Sequence, residues 1–406
     1  IAPNAAAAYS LRSLTGGDPR AVRVRRSSDN AEQDFTSSGV SSGALTSFVN
    51  EDVELFSNDF ETNTSGFTLN TGGSNVAVRN TSDGFSGSGC LQLNLTSSSN
   101  SINTVKTDTY MKDTDGVTYT VSFYAKAISG SANLVLKIGT ESSSLQQISF
   151  SENGGEWVKY SLTFVNNFGA GAGNRSQRIL FAASTNNTTE WRIDDFQIVQ
   201  TTSNGFVETW YDQSGNSNDA VQATAGSQPK IVSAGSLITA GVTFDEANST
   251  ELVATDPVIT AAAAGTYSTF SVQTISNSEA GYVYGNASGS DGSSLYANSS
   301  VYIVTSKNNA TGFDEISKGS SEQLLSVVYN NNDAVMQVDG GGSTSDGNTY
   351  TFSAGTSNFR MGNRSGGTST GTKLTGAIRE VVVYNSDQTA NRAALETNIN
   401  SHYSIF

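Results

Sequence analysis

The chain has 406 residues, enough for two or three domains of ordinary size. Only 15% of them are charged and the formal net charge is −15, so no affinity comes from counterion release at phosphates and nucleic acid is not an expected partner. A single cysteine, Cys90, excludes an internal disulfide, and no apolar run is long enough to span a bilayer.

With 40 glycines and 4 prolines, and a polar surface of Ser, Thr and Asn, the composition points to many short strands joined by tight turns. The chain starts at Ile1 with no basic-then-apolar leader, which implies a start that is processed, truncated or partly disordered. In "AVRVRRSSDNAEQDF", Val22 and Val24 alternate with Arg23 and Arg25, which predicts a strand ending in a polar turn at Ser27 to Asn30. A short apolar "ALTSFV" follows. From residue 51 to 202 the chain reads as a self-contained β domain. Its strands include "YTVSFYAKA", "WVKYSLTFV", "QRILFAAS" and "EWRIDDFQIV", separated by Gly/Ser/Asn turns. Beyond 203, "QLLSVVYNNNDAVMQVDGG" predicts a hairpin that turns at Asn331–Asp333, and "GAIREVVVYN" predicts another strand. The period then changes. Leu395, Ile399 and Tyr403 recur every four residues, which predicts one C-terminal helix on a sheet, with Ser386 as a cap at its start.

Two family resemblances rest on quoted segments. "FSNDFET", "GSGCLQL", "YTVSFYAKAISGSANLVLKIG", "GGEWVKYSLTF" and "WRIDDFQIV" resemble, in order and spacing, the jelly-roll carbohydrate-binding modules of bacterial xylanases and related glycanases. The flanking "AAYSLRSLTG", "VRVRRSSDNAEQDF" and "ETWYDQSGNSNDAVQATAGSQPKIV" resemble the concanavalin-like catalytic domain of fungal α-L-arabinofuranosidase B. The ending "GAIREVVVYNSDQTANRAALETNINSHY" is similar to the laminin-G/concanavalin group, and the same outer framework is similar to structural proteins of tailed, particularly marine, phages. The framework stops before residue 51 and resumes near 203. The expected fold class is therefore all-β: a discontinuous concanavalin/laminin-G-like sandwich of residues 1–50 and 203–406, carrying an inserted jelly roll of 51–202, with a short C-terminal helix.

The resemblances frame the candidate sites. A retaining glycosidase needs two carboxyl groups flanking the bond. Asp29, Glu32, Asp34, Asp212, Asp219, Asp245, Glu246 and Asp291 are available in the framework. The fungal enzymes carry adjacent cysteines at the sugar site, a pair that a chain with Cys90 alone cannot form. The one histidine, His402, falls in the terminal helix, which leaves no His-based triad or His-rich metal site. In "TWYDQSGNSND", Trp210 or Tyr211 would stack on a sugar while Asp212 and Asn218 bind its hydroxyls. The competing reading is a turn braced by Asp212 and Asn216, with left-handed Gly215. The jelly-roll resemblance implies a structural Ca²⁺ held by Glu61 and Asp195, with Asp59 and Asp194 beside them. Exposed aromatics for sugar binding there would come from Phe67, Phe85, Tyr110, Tyr124 or Trp157. Arg12, Arg20, Arg23, Arg25 and Arg26 would pair with carboxylates such as Asp29, Glu32 and Asp34, or meet an acidic partner surface.

These readings lead to a non-enzymatic, lectin-like surface or appendage protein of a virion, placed on the particle surface or outside cells. Its partners would be glycans or cell-surface polysaccharide, other virion proteins or copies of itself, and neither nucleic acid nor membrane. The alternative is a secreted arabinofuranosidase-like hydrolase with an inserted binding module.

Overall fold

The computed structural model describes residues 3–67, 76–96, 102–106, 111, 116–140, 143–151, 153–166, 178–260, 265–276, 278–286, 292–305, 315–330, 333–345, 357–364 and 372–406. The described chain is nearly all β and divides into two compact units. One comprises Ile1–Val49, Gly205–Val232 and Ser236–Phe406. The other comprises Asn50–Asn204 with Ser233–Gly235.

The outer unit is one continuous web of antiparallel strands. Strand Thr266–Thr274 lies between Glu322–Asn330 and Gly376–Tyr384, and the latter also pairs with Ala7–Ser10. Strand Arg20–Arg26, from before the insert, pairs with Gly205–Trp210, from after it. The segment that resumes after the insert is therefore paired in a sheet with one that precedes it. Gly205 packs against Val49 from before the insert: a Cβ there would lie 3.1 Å from Val49 Cγ2 and 3.0 Å from Val232 Cβ. Inward residues build a core that includes Tyr9, Trp210, Phe244, Tyr284, Phe359 and Val381.

The C-terminal helix spans Arg392–Tyr403. Ile399 is fully buried, and Leu395 and Tyr403 pack with it against Ala8, Phe270, Val272 and Val382, so the four-residue spacing does mark the packed face. The cap differs from the sequence expectation. Ser386 precedes the helix by several residues and receives a hydrogen bond from Gln388 Nε2 at 2.8 Å, while the N-cap residue is Asn391, without a side-chain cap bond. Two further short helices, Ser37–Ser41 and Ala44–Val49, bury Val40, Leu45 and Val49; "ALTSFV" is the second of them. Glu322–Asn330 and Asp333–Val338 form the expected antiparallel pair, although residues 331–332 of its turn lie outside the described residues.

The inserted unit has a six-stranded and a four-stranded antiparallel sheet. Strand Val117–Gly130 sits between Val158–Asn166 and Thr189–Gln200. Its alternation sends Tyr119, Val121, Phe123 and Ala125 into the core. Thr120, Tyr124 and Lys126, of intermediate exposure, then point to the other face, which carries the site described next.

Candidate functional site

Tyr124 faces Lys159 on one neighbouring strand and Asp194 on the other. Between Asp194 and Gln197 the register shifts. Asp195 occupies this bulge with φ of 45°, a left-handed conformation that re-aims its side chain. Its Oδ1 accepts a hydrogen bond from Ser86 Oγ at 2.9 Å. Asp194 is fully buried. Its Oδ2 accepts from the backbone amides of Phe85 at 2.6 Å and Ser86 at 3.3 Å, and its Oδ1 from that of Asp195 at 2.8 Å. Burial pushes its carboxyl above the usual aspartate range, and these three amides oppose the shift. The buried carboxylate thus anchors the turn Asp83–Gly89 over the sheet. A Cβ on Gly87 would lie 2.3 Å from Glu61 Oε1, so a larger residue in that turn would displace the Glu61 carboxylate.

The anchored turn presents Phe85. One face of its ring stacks on Tyr124, with centroids 3.7 Å apart and planes 15° apart. Trp157 joins the cluster at 5.9 Å and 59°. Phe85 remains 42% exposed, so an aromatic surface faces solvent. Lys126 Nζ lies 5.6 Å from the Trp157 centroid and is paired with Asp83 at 2.6 Å. Lys159 Nζ lies 5.9 Å from the Tyr124 centroid. Beside this wall runs a groove of about 630 Å³, lined by Asn58, Asp59, Asn63, Tyr124, Lys159 and Gln197 among others. Hydroxyl-binding groups next to an aromatic face suit a neutral, hydroxylated ligand with an apolar side. The sequence pointed to Phe85, Tyr124 and Trp157. Asn58, Asn63, Lys159 and Gln197 were not anticipated, because only strand pairing brings them to one groove. Of the other expected aromatics, Phe67 is in the core against Phe60 and Phe196, and Tyr110 lies outside the described residues.

The four expected metal ligands do not form one cluster. Among the described residues, no three His, Cys, Asp or Glu side chains gather as a group that could hold a metal ion. Asp194 is committed to three amides, and Asp59 Oδ1 accepts from the Glu61 amide at 3.0 Å. Glu61 and Asp195 both border the turn: Glu61 Oε1 accepts from the Gly89 amide at 2.7 Å, and Asp195 from Ser86 Oγ.

In the outer unit, "WYDQSGNSND" is a brace. Trp210 is fully buried, in contact with Tyr9, and so offers no platform to a sugar. Tyr211 donates its hydroxyl to Asp34 Oδ1 at 2.7 Å. Asp212 Oδ1 accepts from the amides of Ala8 at 2.8 Å and Ser214 at 2.9 Å. Its Oδ2 accepts from Ser214 Oγ at 2.7 Å and the Asn218 amide at 3.0 Å. Asn218 Nδ2 donates to the Ala6 carbonyl at 2.9 Å, and Asp219 Oδ1 accepts from the Asp212 amide at 2.8 Å. Gln213, unremarked in the sequence reading, is buried and bonds Leu14 N, Ser10 O and Arg12 O. The loop therefore spends its polar groups on pinning the N-terminal segment, and the sugar-binding expectation for Trp210, Asp212 and Asn218 gives way to a structural one.

Of the other framework carboxylates, Asp29, Asp34 and Asp245 are similarly engaged. Asp34 pairs with Arg23 at 2.7 Å and Arg20 at 3.6 Å, and Asp29 pairs with Arg26 at 2.8 Å. Asp245 accepts from the Ala247 amide and Asn248 Nδ2. The Glu246 amide donates to Thr375 Oγ1. Glu32 stands opposite Arg25 in the sheet, but Arg25 Nε donates to Gln228 Oε1 at 2.7 Å. Arg12 reaches the fully buried Glu380 at 2.7 Å instead of a nearby carboxylate. Asp291 lies outside the described residues.

Comparison with known proteins agrees with the site's location. A family model described as a carbohydrate binding domain matches residues 54–175. No curated protein matches the chain. Among solved structures, the CBM22-1 xylan-binding domain of Paenibacillus barcinonensis Xyn10C is 18% identical, with 37% of this chain and 96% of that one covered and a TM-score of 0.27. The C-terminal family 22 carbohydrate binding module of Clostridium thermocellum Xyn10B is 17% identical, covering 36% and 93% at a TM-score of 0.28. Trypanosoma rangeli sialidase is 14% identical, covering 44% of this chain but 29% of the enzyme at a TM-score of 0.32. Scores this low carry no functional argument. The family match does place a carbohydrate-binding domain in the inserted unit, where the aromatic wall and groove lie.

Proposed function

We propose that the chain is a non-catalytic, glycan-binding structural protein, displayed on the surface of a tailed-phage particle, whose inserted unit holds polysaccharide against Phe85. The observation that carries the binding is the solvent-facing Phe85–Tyr124–Trp157 wall beside a polar groove, within the unit that contains the carbohydrate-domain match. A pyranose would lay its C–H face on Phe85 and direct hydroxyls to Asn58, Asn63, Lys159 and Gln197. Each such site is shallow, and repetition on an assembled surface would raise avidity without new contacts. The virion setting is supported by the similarity of the outer framework to phage structural proteins. A Ca²⁺ beside the turn belongs to the same proposal. Glu61 and Asp195 would hold it, and it would fix the turn that presents Phe85.

The test is retardation of the purified chain in native gels containing xylan, arabinan or a β-glucan. At least one polysaccharide should retard the native protein, and the Phe85→Ala/Trp157→Ala variant should run freely with an unchanged melting temperature. Equal retardation of both proteins would move the site elsewhere. Release of arabinose from an aryl arabinofuranoside, abolished by Asp219→Asn, would replace the proposal with the hydrolase reading.

A further inference from the structure

The outer unit carries an aromatic surface of its own. Strand Gly281–Gly285 pairs with Ser294–Ala297, which pairs in turn with Val301–Thr305. Val283, Leu295, Ala297, Tyr302 and Val304 point into the core, so Tyr282, Tyr296 and Ile303 stand together on the opposite face. Tyr282 and Tyr296 are directly opposed across their strands, with ring centroids 5.0 Å apart and planes at 60°. Tyr282 is largely buried and Tyr296 half-buried. Among the described residues, neither hydroxyl makes a hydrogen bond.

A cation sits on this surface without an anion. The Arg364 guanidinium carbon lies 5.5 Å from the Tyr282 ring centroid. Among the described residues, the guanidinium has neither an ion pair nor a hydrogen bond, and its Nε is closed off from solvent. The neighbouring carboxylate, Glu251, is already taken: it accepts from Arg360 Nη1 at 2.8 Å and from Asn363 Nδ2 at 3.1 Å. Lys373 Nζ is spent on Ser249 Oγ at 2.6 Å. Two further acids border the surface. The charge of Glu246 is felt by Tyr296, and that of Arg364 by Tyr282. Glu315 stands beyond Ile303 in the next strand, at the far end of the row. A charge drawn partly out of water is normally paired, because leaving it unpaired is costly. In a chain of net charge −15, an arginine that finds no carboxylate of its own suits an anion from outside. With Nε closed off, the two Nη groups are left to fork onto it.

We propose that this surface binds an acidic sugar, a pyranose ring that carries a carboxylate. The Arg364 Nη groups would take the carboxylate, at the end of the row away from Glu315. The ring would rest on Tyr296, and the two tyrosine hydroxyls would exchange hydrogen bonds with ring hydroxyls. The site lies in a different unit from the Phe85 wall and takes a charged ligand, so it is independent of that wall.

The experiment uses the full chain carrying Phe85→Ala and Trp157→Ala, so that binding at the other site cannot report. Methyl β-D-glucuronide and methyl α-D-galacturonide are compared with methyl β-D-glucoside, methyl α-D-galactoside and acetate by saturation-transfer NMR and by ligand-induced thermal shift. At least one uronide should bind about tenfold more tightly than its neutral counterpart and than acetate, the least that a hydrogen bond to a charged group contributes. Arg364→Gln should abolish that preference and Arg364→Lys should keep part of it. Because Arg364 makes no ion pair within the described chain, both variants should melt close to their parent when ligand-free. Tyr296→Ala should weaken the uronide and its neutral counterpart alike. Any of four results would overturn the proposal: neither uronide binds, a neutral sugar binds as tightly as its uronide, acetate binds as tightly as either uronide, or the preference survives Arg364→Gln.

Discussion

Replacing Asp212 with alanine separates the brace from a sugar site. The carboxylate accepts four hydrogen bonds, from Ala8 N, Ser214 N, Ser214 Oγ and Asn218 N, between 2.7 and 3.0 Å. Ser214 is half-exposed, so water can replace both of its bonds at little cost. The Ala8 amide belongs to a fully buried strand residue, and the Asn218 amide is half-buried. Each orphaned buried donor costs about 1–3 kcal/mol, so the variant, with two of them, should lose about 2–6 kcal/mol. For a unit of this size each kcal/mol moves the midpoint by about 2–4 °C, which gives a fall of roughly 10 °C. Differential scanning calorimetry measures the fall, and Asp212→Asn, which keeps one accepting oxygen, should lie between the two. Polysaccharide retardation by the inserted unit should be unchanged below the new midpoint. An Asp212→Ala protein that melts within about 1 °C of wild type while losing glycan binding would refute the brace and restore Asp212 as a sugar ligand.

Three further outcomes are expected. Burial pushes the Cys90 thiol up to about 12, so a thiol reagent such as DTNB at pH 8 should leave the native protein unmodified and react fully only after denaturation. The hydrogen bond from Arg23 holds the Asp34 carboxyl below its usual 3.8; the stability it contributes is present above that value and is lost as pH falls through the lowered one, so Asp34→Asn should melt below wild type at pH 7 and converge with it in strong acid. If Glu61 and Asp195 hold Ca²⁺, chelator should lower the inserted unit's melting temperature, calcium should restore it and Glu61→Ala should abolish the response; an identical curve in excess chelator would remove the ion from the proposal.

The sequence by itself determined what depends on near neighbours. The alternation around Tyr119, Val121 and Phe123 reports a strand with one buried face, and the spacing of Leu395, Ile399 and Tyr403 reports a helix with one packed side. Both patterns are periods of a single element and need no partner to be read. The fate of polar and aromatic groups in loops needed the tertiary structure. Trp210 and Phe85 each sit near glycines and serines in sequence, yet one is sealed in a core and the other faces water. Arg12 finds its carboxylate 368 residues away, although nearer acids were available in the sequence. Asp194 and Asp195, adjacent and alike, divide between a buried anchor and a bulge residue, because the pairing register slips between Asp194 and Gln197. Such outcomes are set by which strands meet and in what register, information carried by long-range pairing and absent from any local window.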